Sequence, residues 1–243
     1  MFGLFSKERG IARARKKALN KLAQSPERWA AMEKLRDDGS DESLLVLCRR
    51  FGITSSKMVE DQQEKEWVVE ALTGKGEAVL PALRSYLAEA ESLAYPLRVL
   101  ESVAKGADVL EIVDAILVKE PPEYTRDPGR KLDVINFLGE HPGISNQEAI
   151  TRVLPYLGDY DENVRYAAVT AIGLRPTPDA AAPLVNALLR PGEESRRLKL
   201  RIGEVLAEAD LDLAGRKDEV AALFDDILVD YRLHRDHLVR KNK

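Results

Sequence analysis

The chain's three histidines, His141, His234 and His237, are the residues best suited to acid–base or metal chemistry. His234 and His237 stand three apart, so on a helix they would share a face at a spacing that suits a zinc ion. No further ligand pattern accompanies them and their surroundings are polar, so they read as solvated imidazoles. Cys48 is the single cysteine and has no partner for a disulfide or a Cys-rich metal site. Set among Leu44, Leu45, Val46 and Leu47, it reads as a buried, inert thiol. Acid pairs such as Glu193-Glu194 and Asp225-Asp226 read as solvated faces or helix N-terminal charge. No phosphate-binding glycine loop, dinucleotide fingerprint or HExxH pair occurs. No catalytic residue, cofactor or metal is therefore expected, and the chain is expected not to be an enzyme.

The elements that would position any site are helical. Of the 243 residues 44% are hydrophobic, mainly Leu, Ala and Val, and only 6% are aromatic, a mix that favours aliphatic helix packing over a β-sandwich. No apolar run approaches the roughly 18 residues that span a bilayer, and Met1 to Gly10 lacks a signal peptide's apolar region, so a cytoplasmic setting is expected. The net charge of −4 hides an asymmetry: residues 1–24 carry +6 and residues 232–243 carry +4, which leaves −14 on residues 25–231. An acidic body with basic ends argues against a cationic groove, so strong nucleic-acid binding is not expected.

About a dozen helices of 10–20 residues are separated by turn chemistry, with no strand candidate. Ser25-Pro26 opens one helix and Asp37-Asp38-Gly39 closes it. Ser40 caps the next, and Asp161 caps Glu162 to Leu174. The last of the series runs from Lys217 to Leu238. A fixed period underlies them. Arg98, Lys131 and Arg165 stand 33 and 34 apart, and each is followed eight residues later by a helix-ending glycine: Gly106, Gly139 and Gly173. In the partner helices a proline sits within an apolar run at Pro81, Pro155 and, more loosely, Pro183. Proline in a helix interior costs about 3 kcal/mol, so its recurrence implies a kink built into the unit.

The unit from Asn146 to Gly173, with Pro155, Asp159, Asp161, the Val164-Arg165 pair and Ala167, Ala168 and Ala171, resembles HEAT repeats. It is especially similar to the short form found in phycobilisome-lyase-like proteins of the armadillo type. The likeness is good over residues 76–209 and weak before Asp41. It implies an all-α, right-handed α-solenoid of about five to six HEAT-like helix pairs over residues 25–215, with a basic amphipathic helix at 1–24 and a C-terminal capping helix with a basic tail at 216–243. It implies a scaffold or adaptor that binds another protein through its concave face. The alternative on the same fold is an enzyme acting on DNA bases or bilin chromophores. Arg98, Lys131 and Arg165 are read as structural, in exposed ion pairs of little individual worth, with Arg165 pairing either Asp161 or a neighbouring repeat. Trp29 and Trp67 are read as core or inter-repeat packing.

Two segments break the repeat. Residues 120–129 form an expanded turn stiffened by prolines, in which Tyr124 and Arg126 are residue types enriched at binding hot spots. At the N-terminus Phe2, Leu4 and Phe5 precede a helix whose Ile11, Ala18, Leu19 and Leu22 share a face, opposite Arg9, Arg13, Lys16 and Lys17. This segment reads as a cap on the first repeat, a docking peptide for an acidic partner, or a peripheral anchor on anionic membrane.

Overall fold

The computed structural model describes residues 2–241, with side chains from residue 8 onward. The chain divides into two compact units, residues 1–118 and 119–243. The fold is all-α, of the helix-pair solenoid type, except for one short hairpin near the C-terminus.

The first unit holds α1 (Phe2–Ala18), α2 (Ser25–Asp38), α3 (Asp41–Arg49), α4 (Met58–Thr73), α5 (Leu80–Leu87), α6 (Ala94–Val103) and α7 (Ala107–Leu117). The pairs are α1/α2, α3/α4 and α5/α6. The first helices form one row, α1 on α3 on α5, and the second helices another, α2 on α4 on α6. Met32, Leu35, Leu44, Leu47, Leu72 and Leu83 fill the space between the rows with essentially no exposure. Local chemistry sets the boundaries. Ser40 accepts the Ser43 N–H at the start of α3, and Gly39, at φ 63°, ends α2 in the left-handed conformation that glycine adopts without strain.

In the second unit α8 (Gly129–Glu140) is followed by the pairs α9 (Asn146–Val153)/α10 (Glu162–Leu174) and α11 (Ala181–Leu188)/α12 (Arg196–Glu208). Here α8, α10 and α12 form the row of second helices. Ser145 and Glu148 make a reciprocal capping box on α9, and Asp161 accepts two N–H groups of α10's first turn.

Three expectations are corrected. The prolines do not kink helix interiors. Pro81 lies in the first turn of α5, after a 3-10 turn at Gly76–Val79, and Pro183 is the third residue of α11. Pro155 opens the 3-10 segment Leu154–Gly158, where α9 has stopped. All three occupy places where the missing N–H is not required. The N-terminal helix ends at Ala18, so Leu22 is 83% exposed; Ile11, Ala14 and Ala18 form the face on α2.

The helix expected over Lys217 to Leu238 is the third correction. α13 covers only Lys217–Ala221, and the chain then forms an antiparallel hairpin of β1 (Tyr231–His234) and β2 (His237–Arg240), with Tyr231 opposite Arg240. Tertiary contacts decide this. Tyr231 and Leu238 turn inward and are buried, β2 packs on α12, and Leu213 donates its N–H to the Asp236 carbonyl at 2.8 Å. Gly203 of α12 leaves room for Leu228, whose Cδ2 would lie 2.5 Å from any Cβ there.

No helix among the described residues is long and apolar enough to cross a membrane.

Candidate functional site

The first unit is organised around a buried ion cluster that the sequence pattern does not announce. Glu64 of α4 is fully buried and accepts from Arg28 of α2 at 2.8–3.1 Å and from Arg50 at 2.8–3.0 Å. Arg50 also donates to Asp61 at 2.7 Å, and Lys65 lies 2.8 Å from the other Asp61 oxygen. Burial pushes the Glu64 carboxyl up, but the guanidinium groups of Arg28 and Arg50 outweigh it and hold the carboxyl below its ordinary range. Asp61 follows the same balance, with burial opposed by Lys65 and Arg50. The cluster clamps α2, the end of α3 and α4 together, and so fixes which face of α4 looks outward.

That outward face centres on Trp67, which is only partly buried. Its ring meets Trp29 of α2 edge-on, with centroids 5.5 Å apart, and the Arg36 guanidinium lies 5.4 Å from the Trp67 centroid. The inter-repeat role expected for the two tryptophans is thus present, and Trp67 does more. Two open clefts, of about 350 and 310 Å³, share its ring as a wall: Arg36, Gly74 and Lys75 lie on one side, Val59, Gln62 and Gln63 on the other. Met58 and Val59 are 81% and 71% exposed beside them. Glu66 pairs with Arg98 of α6 at 2.8 Å, and Arg98 also lies over the Tyr95 ring. The hydrogen bond from Arg98 lowers the Glu66 carboxyl's pKa.

In the second unit the repeat positions make inter-repeat contacts. Lys131 pairs with Asp159 at 2.8 Å and Arg165 with Glu193 at 2.9 Å, both 28 residues ahead. Arg98 is exposed as expected, whereas Lys131 is fully buried and Arg165 mostly so. Asp161 does not pair with Arg165, because its carboxylate caps α10. The glycines that follow are not helix terminators either. A Cβ on Gly139 would sit 2.9 Å from the Ala171 Cβ, and one on Gly173 2.8 Å from Val205 Cγ2, so each marks close approach to the next second helix. Gly106 differs: it precedes α7 with φ 54°.

The 120–129 turn is tied down from below. Lys131 donates to the Glu123 carbonyl, Tyr156 to the Glu120 carbonyl at 2.7 Å, and Arg130 pairs with Glu120. Tyr124 is displayed on top, 72% exposed. It meets Tyr160 of the next turn, itself 73% exposed, edge-to-face at 5.3 Å. Arg126 is exposed in the same turn. Tyr160, Asp159 and Glu193 were not legible as partners, since they depend on which turns become neighbours. A further clamp was missed at Arg175, which is buried and donates to the Gly139, His141 and Ile144 carbonyls of the preceding repeat.

Of the N-terminal candidates, Phe2, Leu4 and Phe5 fall where side chains lie outside the described residues. Arg13 and Lys16 are exposed, Lys17 pairs with Glu27, and Arg15 pairs with Glu42. His234 and His237 are not neighbours on a helix; they face each other across the hairpin. No group of three or more metal-ligating side chains occurs among the described residues. Cys48 is buried, and burial pushes its thiol up to about 12.

Stacked helix pairs tied together at a 34-residue period define a helical-repeat protein. Residues 126–202 match the family model for HEAT repeats. No curated protein matches the chain. Among solved structures, human deoxyhypusine hydroxylase in complex with glycerol is similar at 16% identity and a TM-score of 0.35, over 92% of each chain. That protein is an enzyme, so the expectation that this chain is not one does not stand. At that TM-score the likeness transfers no activity to this chain.

Proposed function

We propose that the chain is a cytoplasmic scaffold that binds another protein on the outward face of α2, α4 and α6, around Trp67. The observation that supports this is the pair of open clefts sharing the Trp67 ring, beside exposed Met58 and Val59. A half-buried tryptophan with room on both sides is the kind of residue that carries binding energy at an interface. A net −14 over residues 25–231 favours a partner of positive character. In the second unit, the Tyr124–Tyr160 corner, held ready by Lys131 and Tyr156, is a separate candidate contact for a protein partner. The basic face of α1, with Arg9, Arg13 and Lys16 exposed, supports a peripheral contact with anionic membrane.

A photo-crosslinking residue at Gln63, compared with one at Ser85 on α5, tests the reading in the native host. A discrete adduct is expected from Gln63 and not from Ser85, and Trp67→Ala should abolish it. Equal adducts from both positions, or an adduct indifferent to Trp67→Ala, would overturn the assignment of this face.

A further inference from the structure

In the second unit two aromatic side chains stand exposed beside each other. Tyr124 of the 120–129 turn and Tyr160 of the turn before α10 are 72% and 73% exposed, with ring centroids 5.3 Å apart and planes at 87°. One buried ammonium positions both. Lys131 donates to the carbonyl of Glu123, the residue before Tyr124, and to the carboxylate of Asp159, the residue before Tyr160. Arg165 holds the Tyr160 carbonyl at 3.0 Å, and Tyr156 the Glu120 carbonyl at 2.7 Å.

The faces of these two rings are unfilled. Four other aromatic rings carry a cation of the chain itself. Arg36 lies over Trp67, Arg98 and Lys65 over Tyr95, Arg197 over Tyr166 and Arg240 over Tyr231, each 4.5–5.9 Å from the centroid. Tyr124 and Tyr160 are the most exposed aromatic residues among those described, yet no cation among the described residues lies over either ring. The charges that reach solvent on the two turns are mainly negative, with Glu123, Asp127 and Asp161 against Arg126. Asp127 accepts the Gly129 N–H and Asp161 caps α10, whereas the Glu123 carboxylate makes no ion pair among the described residues.

Perpendicular rings form a corner with one ring face on each side, and at this spacing a cation seated in it lies within about 6 Å of both centroids, the range of the interaction. We propose that the Tyr124–Tyr160 corner receives a lysine or arginine side chain of a partner protein, its charged head against the two ring faces and its methylene stem along them. The ring quadrupoles and Glu123 supply the attraction, and turns already fixed by Lys131 and Tyr156 lose little freedom on binding. A proline or leucine side chain would cover the same apolar area but leave that negative potential unanswered. The inference rests on the reading of this corner as a protein contact, and adds the chemistry of what enters it.

Amide NMR of the full chain, titrated with blocked Gly-Arg-Gly, Gly-Lys-Gly, Gly-Pro-Gly and Gly-Leu-Gly peptides, tests it. The arginine and lysine peptides are expected to shift the amides of Tyr124, Thr125, Tyr160 and Asp161, and to bind several-fold more tightly than the two neutral peptides. Tyr124→Phe with Tyr160→Phe keeps both rings and should keep that preference. Tyr124→Leu with Tyr160→Leu keeps apolar area but removes the ring faces, and should weaken the arginine peptide about two- to fivefold per ring. The comparison of peptides on the unaltered chain decides the matter even if the leucine variant misfolds. Neutral peptides that bind as tightly as the basic ones, or an arginine affinity indifferent to a folded leucine variant, would overturn the cationic assignment while leaving the corner as a protein contact. Amides that no peptide moves would remove the contact itself and the inference with it.

Discussion

The Lys131 ammonium lies 2.8 Å from the Asp159 carboxylate with both side chains fully buried, and 34 residues further on Arg165 meets Glu193 in the same relation. Each pair joins the start of one second helix to the turn that opens the next.

Lys131→Met should therefore destabilise the second unit by about 3–5 kcal/mol, because Asp159 would be left buried without its cation. Arg98→Ala removes an exposed pair and should cost at most about 1 kcal/mol. Urea melts compare the two. Hydrogen exchange at residues 120–126 should rise in Lys131→Met alone, since Lys131 also holds the Glu123 carbonyl.

Gly139→Ala places a methyl 2.9 Å from the Ala171 Cβ and 3.0 Å from its Cα, where the neighbour is backbone and cannot swing aside. A cost of about 1–3 kcal/mol is expected, despite alanine's better helix propensity. Gly158→Ala meets nothing within 4 Å and should be close to neutral in the same melt.

The Glu64 and Asp61 carboxyls are held below their ordinary values in the folded chain. Groups shifted this way add stability that is complete above the unfolded-state value, roughly pH 4–5, and that is lost as pH falls through the lower folded value. Trp29 and Trp67 both report on the first unit, so its melting followed by tryptophan fluorescence should drop steeply between about pH 5 and pH 3. Glu64→Gln should cost about 3–5 kcal/mol at pH 7, because Arg28 and Arg50 lose their shared partner. Its acid limb should be flatter than that of the unaltered chain. An unchanged acid limb would show that the cluster does not set it.

Arg13→Ser with Lys16→Ser leaves the buried Ile11, Ala14 and Ala18 face of α1 intact. Melting should move by a few degrees at most, while flotation on anionic vesicles should fall several-fold. Equal flotation would remove the membrane contact from the proposal.

Helix periodicity, caps and the 34-residue spacing were sufficient to read an all-α stack of pairs from the sequence, because each depends on residues within one or two turns of each other. Ser40, Asp161 and Gly39 act where their local context placed them. The same local reading mistook Gly139 and Gly173 for terminators, since a missing side chain looks alike whether it ends a helix or admits a neighbour. It drew a helix through Tyr231 to Leu238, where Leu228 over Gly203 and the pairing with Leu213 favour a hairpin. Burial of the Arg28–Glu64–Arg50 cluster, exposure of Trp67 and the Tyr124–Tyr160 corner join residues 14 to 36 positions apart. Only stacking brings such distant residues together, and desolvation and Coulomb terms then depend on which helices stack, so the tertiary structure alone decided them.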